Sequence, residues 1–121
     1  MIACLDSVRL AIITPALTRI LVALGQADFD VLITSGTDGE HHHVGAHARG
    51  EAVDIRVIDL PTLAARRVRQ QHLATALGPL FTVLLEPDDI PGDTAAPHIH
   101  IQLKIGATYP PPPPPAAPVS A

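Results

Sequence analysis

The sequence predicts an α+β domain in which a small antiparallel sheet of about four core strands is backed by two helices. Two segments have apolar residues at helical spacing, and four short segments are rich in β-branched or alternating apolar residues. They follow one another as helix, two strands, helix, two strands, an order that with short connections favours antiparallel pairing. The 121 residues suit a single hydrophobic core.

Both predicted helices have recognisable ends. Thr14 can cap the first helix, Pro15 suits its first turn, and Gly25 follows its last apolar residue. The apolar positions recur at helical spacing: Leu17, Ile20, Leu21 and Leu24. The second helix covers residues 61–77, where apolar residues alternate with arginines, and Gly78 followed by proline ends it.

The four predicted strands are residues 29–35, the segment EAVDIRVIDL from residue 51, FTVLLE from residue 81 and HIHIQLKI from residue 98. In the second strand, alternation puts Val53, Ile55 and Val57 on the face that must enter the core. Asp54 shares the opposite face with Ala52 and Arg56. An acid in the middle of a strand is disfavoured unless something binds it, so Asp54 is expected to have a partner.

Composition excludes several classes of protein. The net charge of −4 argues against a nucleic-acid partner, and Arg66, Arg67 and Arg69 are interpreted as a solvated helix face. The single Cys4 excludes an intramolecular disulfide and a zinc site built from several thiolates. Charged residues and Pro15 interrupt the apolar first 25 residues, so neither a signal peptide nor a membrane span is predicted. We therefore expect synthesis in the cytoplasm. The protein is also expected to be a monomer.

A composition change sets the predicted domain boundary. Residues 1–106 form the folded domain, whereas residues 107–121 contain six consecutive prolines and are predicted to be a disordered tail. Polyproline favours an extended helix without backbone hydrogen bonds. A partner domain that recognises proline is the alternative role for this tail.

The histidines are the strongest functional signal. His47 precedes the strand that carries Asp54, while His98 and His100 share one face of the last strand. A catalytic zinc takes three His or carboxylate ligands and keeps one position for water, so these residues are candidate metal ligands if the two strands pair. His41–His43 are interpreted as a solvated loop at the rim, and His72 as an ordinary helix residue. A cupin motif, G-x5-H-x-H from Gly92, lacks its later glutamate and strands.

The pattern H-x-x-G-x-A-x-D from His47 to Asp54, followed by H-x-H, resembles the zinc D-Ala-D-Ala carboxypeptidases and L-Ala-D-Glu endopeptidases. That group includes lysostaphin, D-Ala-D-Ala metallopeptidase and Sonic hedgehog. The resemblance runs from about residue 33 to residue 103 and is similar to compact versions from phages and prophages. It implies a hedgehog-like fold and hydrolysis of a peptide bond in peptidoglycan stem peptides.

The resemblance also assigns roles to residues. It implies that His47, Asp54 and His100 bind one Zn²⁺, and that His98 either takes a proton from water or stabilises the anionic intermediate. Glu86 ends its strand near these positions and is a candidate base or orienting residue; a solvent-facing carboxylate is the alternative.

One departure from the family pattern concerns substrate recognition. Many relatives have an arginine after Ser-Gly, where it would bind a substrate carboxylate, but here Thr37 and Asp38 follow Ser35-Gly36. Arg49 and Arg56 are the possible substitutes. The sequence leaves open which bond is cut, whether the origin is a phage or its host, and how the protein reaches the wall. A non-catalytic zinc-binding module is the alternative function.

Overall fold

A computed structural model describes residues 1–36, 46–47, 49–93 and 96–115. These residues form five strands and two helices. In chain order they are β1 (Ile2–Cys4), α1 (Pro15–Gln26), β2 (Val31–Ser35), β3 (Ala52–Arg56), α2 (Leu63–Leu77), β4 (Phe81–Glu86) and β5 (His98–Leu103). The strands form one open sheet in the order β1-β2-β3-β5-β4. The predicted α+β class and the two helices are confirmed.

The predicted antiparallel sheet of about four strands is wrong in one respect, because β1 adds a fifth strand. It pairs parallel to β2, with Ile2 opposite Val31, so the sheet is mixed. A parallel neighbour needs a crossover connection, and α1 supplies it between β1 and β2. The four predicted strands are present, and their pairs are antiparallel.

Local chemistry accounts for the helix ends. The Thr14 hydroxyl accepts a hydrogen bond from the Leu17 amide at 3.1 Å, so it caps α1 as predicted. The Thr62 hydroxyl does the same for the Ala65 amide at the start of α2. Gly78 ends α2 with φ of 84°, a conformation that glycine adopts without steric cost.

The core lies between the two helices and one face of the sheet. Alternation in β3 buries Val53 and Ile55, and alternation in β5 buries Ile99 and Ile101 on the same side. The helices cover this face with further buried residues: Ala16, Leu17, Ile20, Ala23 and Leu24 from α1, and Leu73 and Leu77 from α2. The opposite face of β3 and β5 therefore carries the polar side chains.

Strand register brings distant parts of the chain together on that polar face. Asp54 of β3 lies opposite His100 of β5, and Arg56 lies opposite His98. On the other side of β5, Glu86 of β4 also lies opposite His98. The sheet thereby joins Asp54 and His100, which are 46 positions apart in the sequence.

Strand β4 lies at one edge of the sheet, and side chains bind its outward-facing backbone groups. The Asp89 carboxylate accepts from the Leu85 amide at 2.7 Å, and Gln70 of α2 donates its amide to the Val83 carbonyl at 3.0 Å. Gln70 and Arg67 also donate to Asp89, at 2.9 Å and 2.7 Å. This group, the Asp89 clamp, ties α2 to the turn after β4.

The packing continues past the predicted boundary at residue 106. Ala107 and Tyr109 contact the core, and the Tyr109 ring lies edge-on to Phe81 with centroids 5.5 Å apart. Pro110–Pro115 are exposed. His41–His43, the predicted rim loop, fall outside the described residues. Neither helix in the described part of the chain has the length and apolar character needed to cross a membrane.

Candidate metal centre

His47 enters the site from a tight turn before β3. The Gly50 amide donates to the His47 carbonyl at 3.0 Å, and the Glu51 amide donates to the Ala46 carbonyl at 2.9 Å. Gly50 has φ of +70°, which L side chains rarely adopt, and a Cβ there would collide with the Ile12 carbonyl. The glycine in the sequence pattern is therefore needed for the turn, and the turn buries His47 to 3% exposure.

Asp54 and His100 reach the same place from the paired strands β3 and β5. The Asp54 Oδ1 atom lies 2.9 Å from His100 Nδ1 and 3.4 Å from His47 Nε2. The two imidazole rings stand edge-to-face with centroids 5.0 Å apart. One donor atom from each residue lies within 4.8 Å of the other two, so the three residues can hold a metal ion.

The second nitrogen of each imidazole contacts an acceptor outside the triad. His47 Nδ1 lies 2.9 Å from the Gly36 carbonyl oxygen, and His100 Nε2 lies 2.7 Å from Gln102 Oε1. Gln102 donates its own amide to the Leu103 carbonyl, which orients its oxygen toward His100. Each ring can thus donate outward and direct a lone pair inward, the arrangement typical of metal-binding histidines.

The donor atoms of His47, Asp54 and His100 are arranged to bind a cation. With both rings neutral, two imidazole lone pairs and a carboxylate face a common point, and their mutual repulsion requires either a proton or a metal ion between them. Nitrogen and oxygen donors in a set of two histidines and one carboxylate match the ligands that zinc takes in catalytic sites. The donor set therefore fits the ion that the sequence predicts, although the identity of the metal is not fixed by geometry.

The pKa values of the triad have the same physical origin. Burial raises the pKa of Asp54, but hydrogen bonds and attraction to His100 and His47 outweigh it and hold that pKa well below its usual range. Burial lowers the pKa of His100, yet its hydrogen bonds to Asp54 and Gln102 and the charges of Asp54 and Glu86 raise it overall. Asp54 is consequently ionised in the folded protein at neutral pH.

His98 and Glu86 form a second pair beside the triad. His98 Nε2 lies 2.8 Å from Glu86 Oε2, and both side chains are about one-fifth exposed. His98 Nδ1 lies 2.7 Å from the Ala96 carbonyl. Glu86 therefore does not simply face solvent: it is bound to the histidine that the sequence predicts beside the metal.

The two arginines considered as substitutes for the missing family arginine differ in their surroundings. Arg49 binds Glu51, with Nε and Oε1 2.7 Å apart. Arg56 is exposed and, within the described residues, makes no hydrogen bond or ion pair. Thr37 and Asp38 lie outside the described part of the chain.

Sequence reasoning missed the residues that orient the ligands. Gln102 continues the alternation His98, His100 on β5, so period two could have identified it as a neighbour of His100. The sequence gives no such signal for the Gly36 carbonyl, because every residue has a backbone carbonyl that can accept a hydrogen bond. Comparison of the chain with protein-family models, curated proteins and solved structures found no match.

Proposed function

We propose that the chain is a zinc-dependent peptidase that hydrolyses a peptide bond in peptidoglycan stem peptides. The observation that carries the proposal is the meeting of His47 Nε2, Asp54 Oδ1 and His100 Nδ1 around one point, with both outer imidazole nitrogens bonded elsewhere. Three protein ligands are the number that a catalytic zinc takes. The choice of substrate rests on the sequence resemblance described above.

A zinc ion in such a site polarises a carbonyl group and lowers the pKa of water toward about 7. The protein's own part is to keep that site in place. Asp54 supplies the negative charge, and the Gly36 and Gln102 oxygens hold the two imidazoles in the orientation that directs their lone pairs at the ion.

Glu86 and His98 are proposed as the catalytic pair. Glu86 carries the carboxylate that can accept a proton from the attacking water, and it lies opposite His98 across the β4–β5 pair. His98 faces acceptors at both ring nitrogens, Glu86 and the Ala96 carbonyl, so it is placed to act as a hydrogen-bond donor. Either role open to His98, proton transfer or stabilisation of the developing oxyanion, requires its Nε2 contact with Glu86 to be exchanged for the substrate.

The first experiment measures metal content and cleavage separately. Purified protein is loaded with zinc and dialysed, and its zinc is counted by mass spectrometry for the wild type, His47→Ala, His100→Ala and the control His72→Ala. His72 lies on α2, packs against Phe29 and is outside the site. We expect about one ion per chain in the wild type and the control, and loss of that ion from both ligand variants.

The second experiment follows digestion of a defined stem pentapeptide by chromatography and mass spectrometry. Cleavage by the zinc-loaded wild type should fall by about 10²- to 10⁴-fold in Glu86→Gln and His98→Ala, the range usual for an acid–base group. Both variants should retain zinc. Zinc binding without cleavage by the wild type would contradict the peptidase and identify the alternative, a non-catalytic zinc-binding module.

A further inference from the structure

Residues 9–14, the segment before α1, lie against the two glycines that bond to His47. The Gly36 carbonyl contacts His47 Nδ1, and the Gly50 amide donates to the His47 carbonyl. A Cβ atom at either glycine would collide with a backbone carbonyl of this segment. The segment and both glycines are therefore in direct backbone contact, close to the metal ligand.

Thr14, the last residue of this segment, forms a hydrogen bond to the turn that carries His47. Its hydroxyl donates to the Gly50 carbonyl at 2.6 Å and accepts from the Leu17 amide at 3.1 Å. A hydroxyl group has one proton to donate and lone pairs with which to accept, so both bonds can form together. One side-chain oxygen therefore links the start of α1 to the His47 turn.

Thr14 is held in place on the helix side of this link. Its carbonyl accepts from the Thr18 amide at 2.9 Å and from the Thr18 hydroxyl at 3.0 Å. Leu17 and Ile20, in the first turns of α1, are fully buried in the core. The β-branched side chain of threonine also restricts rotation about χ1. The oxygen that bonds Gly50 is thus attached to a well-packed helix.

On the other side of the link, two hydrogen bonds meet at Gly50. Its carbonyl accepts from Thr14, and its amide donates to the His47 carbonyl at 3.0 Å. His47 comes from a turn, whereas Asp54 and His100 lie opposite each other on paired strands. The position of His47 therefore depends on the contacts of its turn, and Thr14 makes one of them.

We propose that Thr14 is a positioning residue of the candidate metal centre, which holds His47 in place before a metal ion binds. This role rests on the metal site of the proposed function and is independent of the bond that the protein hydrolyses. A ligand that is already in position loses less conformational freedom when the ion binds. The hydrogen bond from Thr14 to Gly50 should therefore raise the metal affinity of the site.

Three substitutions of Thr14 separate this link from the capping of α1. Thr14→Ser keeps both hydrogen bonds, and Thr14→Val removes both. Thr14→Asp keeps the cap, since aspartate is a good N-cap residue, but its ionised carboxylate has no proton to donate to Gly50. Its negative charge attracts a cation, so weaker zinc binding by this variant would oppose the electrostatic effect of the substitution.

Thr62 is the matched control because its hydroxyl caps α2 in the same way, accepting from the Ala65 amide at 3.1 Å. Helix α2 contributes none of the three candidate ligands. Thr62→Val and Thr62→Asp therefore repeat the loss and the retention of a helix cap away from the site. An effect of capping alone on zinc binding should appear in this pair as well.

The first readout is amide hydrogen exchange of the metal-free protein, measured by NMR relative to the amides of β5. The Gly50 and Glu51 amides close the turn by bonding the His47 and Ala46 carbonyls. Both amides should exchange about 3- to 10-fold faster in Thr14→Val and Thr14→Asp, the effect of losing one hydrogen bond. Thr14→Ser and both Thr62 variants should exchange as the wild type does.

The second readout is metal binding, measured by competition with a coloured chelator. Zinc affinity should fall by about 3- to 10-fold in Thr14→Val and Thr14→Asp, and should stay unchanged in Thr14→Ser and both Thr62 variants. Co²⁺ in place of zinc gives a second signal, because its visible absorption is stronger with four ligands than with six. That absorption should change in the same two variants, since His47 would be bound less fully.

The outcomes distinguish this role from the metal centre itself. Unchanged amide exchange in Thr14→Val and Thr14→Asp would show that Thr14 does not hold the turn. Faster exchange with full zinc affinity would overturn its role in metal binding. If the wild type binds no zinc, the proposed metal centre fails, and amide exchange in the metal-free protein alone decides whether Thr14 holds His47.

Discussion

Substitution of Gln102 by leucine should weaken zinc binding without removing any of the three candidate ligands. Gln102 Oε1 accepts from His100 Nε2 at 2.7 Å, and this contact directs Nδ1 of the same ring toward Asp54. Leucine has similar size but no acceptor, so the buried N–H of His100 would lose its partner. The ring could then turn or exchange its tautomer.

The expected size of the effect follows from the burial of the ring. His100 is only 9% exposed, so water can replace the lost acceptor poorly, and an unsatisfied buried donor costs about 1–3 kcal/mol. Removal of such an outer partner typically weakens metal binding by about 10- to 100-fold. Gln102→Glu retains an acceptor and adds negative charge, so its zinc affinity should equal or exceed that of the wild type.

Competition with a coloured chelator measures the zinc affinity of the wild type, Gln102→Leu and Gln102→Glu. Gln71→Leu is the matched control, since the Gln71 side chain is exposed on α2 and, among the residues that the structure describes, bonds to Thr75 alone. Thermal unfolding in the presence of a strong chelator separates any loss of fold stability from loss of affinity. Zinc affinities for both Gln102 variants within about twofold of the wild type would refute the orienting role, and equal weakening of both would indicate a packing effect instead.

Three further predictions concern stability. Burial raises the pKa of Asp89, but hydrogen bonds from Arg67, the Leu85 amide and Gln70 outweigh it and lower that pKa. The stabilising effect of the Asp89 carboxylate is therefore present above its unfolded pKa of about 3.9 and is lost as the pH falls below that value. In Asp89→Asn, the free energy of unfolding measured with urea should depend less steeply on pH between about pH 5 and pH 2. An equal slope would contradict this. Gly50→Ala should lower the free energy of unfolding by about 1–3 kcal/mol, because Gly50 has a positive φ and an added Cβ would clash with Ile12. It should also reduce zinc binding. The control Gly92→Ala, also at positive φ but in open space, should leave zinc binding unchanged. Tyr109→Ala should lower the melting temperature because the ring packs on Phe81, while truncation after Pro110 should not; equal melting temperatures for the two would show that the ring contributes nothing.

The sequence predicted the elements well where local signals were strong. Thr14 and Gly78 are recognisable helix ends, and the alternation around Asp54 correctly separated a buried face from a polar one. Strand β1 was missed because three residues carry no measurable period and its pairing partner lies beyond a helix. Its parallel direction follows from that crossover and not from its own residues.

The candidate metal ligands could be predicted because their residue types are the ones that bind metal ions. Histidines and an aspartate are conspicuous, and strand pairing supplied a reason for them to meet. The contacts outside the triad were less predictable. Every residue has a backbone carbonyl, so the sequence does not mark that of Gly36 as a partner of His47. The bond between Glu86 and His98 depends on the register of β4 against β5. Such contacts are properties of the assembled sheet.

The Asp89 clamp has a consequence for how this protein behaves at high concentration. An edge strand whose backbone amides and carbonyls make no hydrogen bonds can pair with a strand of another molecule. Here a carboxylate and a carboxamide already occupy the Leu85 amide and the Val83 carbonyl, and the Asp89 amide occupies the Leu85 carbonyl. Growth of the sheet from one chain into the next is therefore disfavoured at that border by the protein's own side chains and turn.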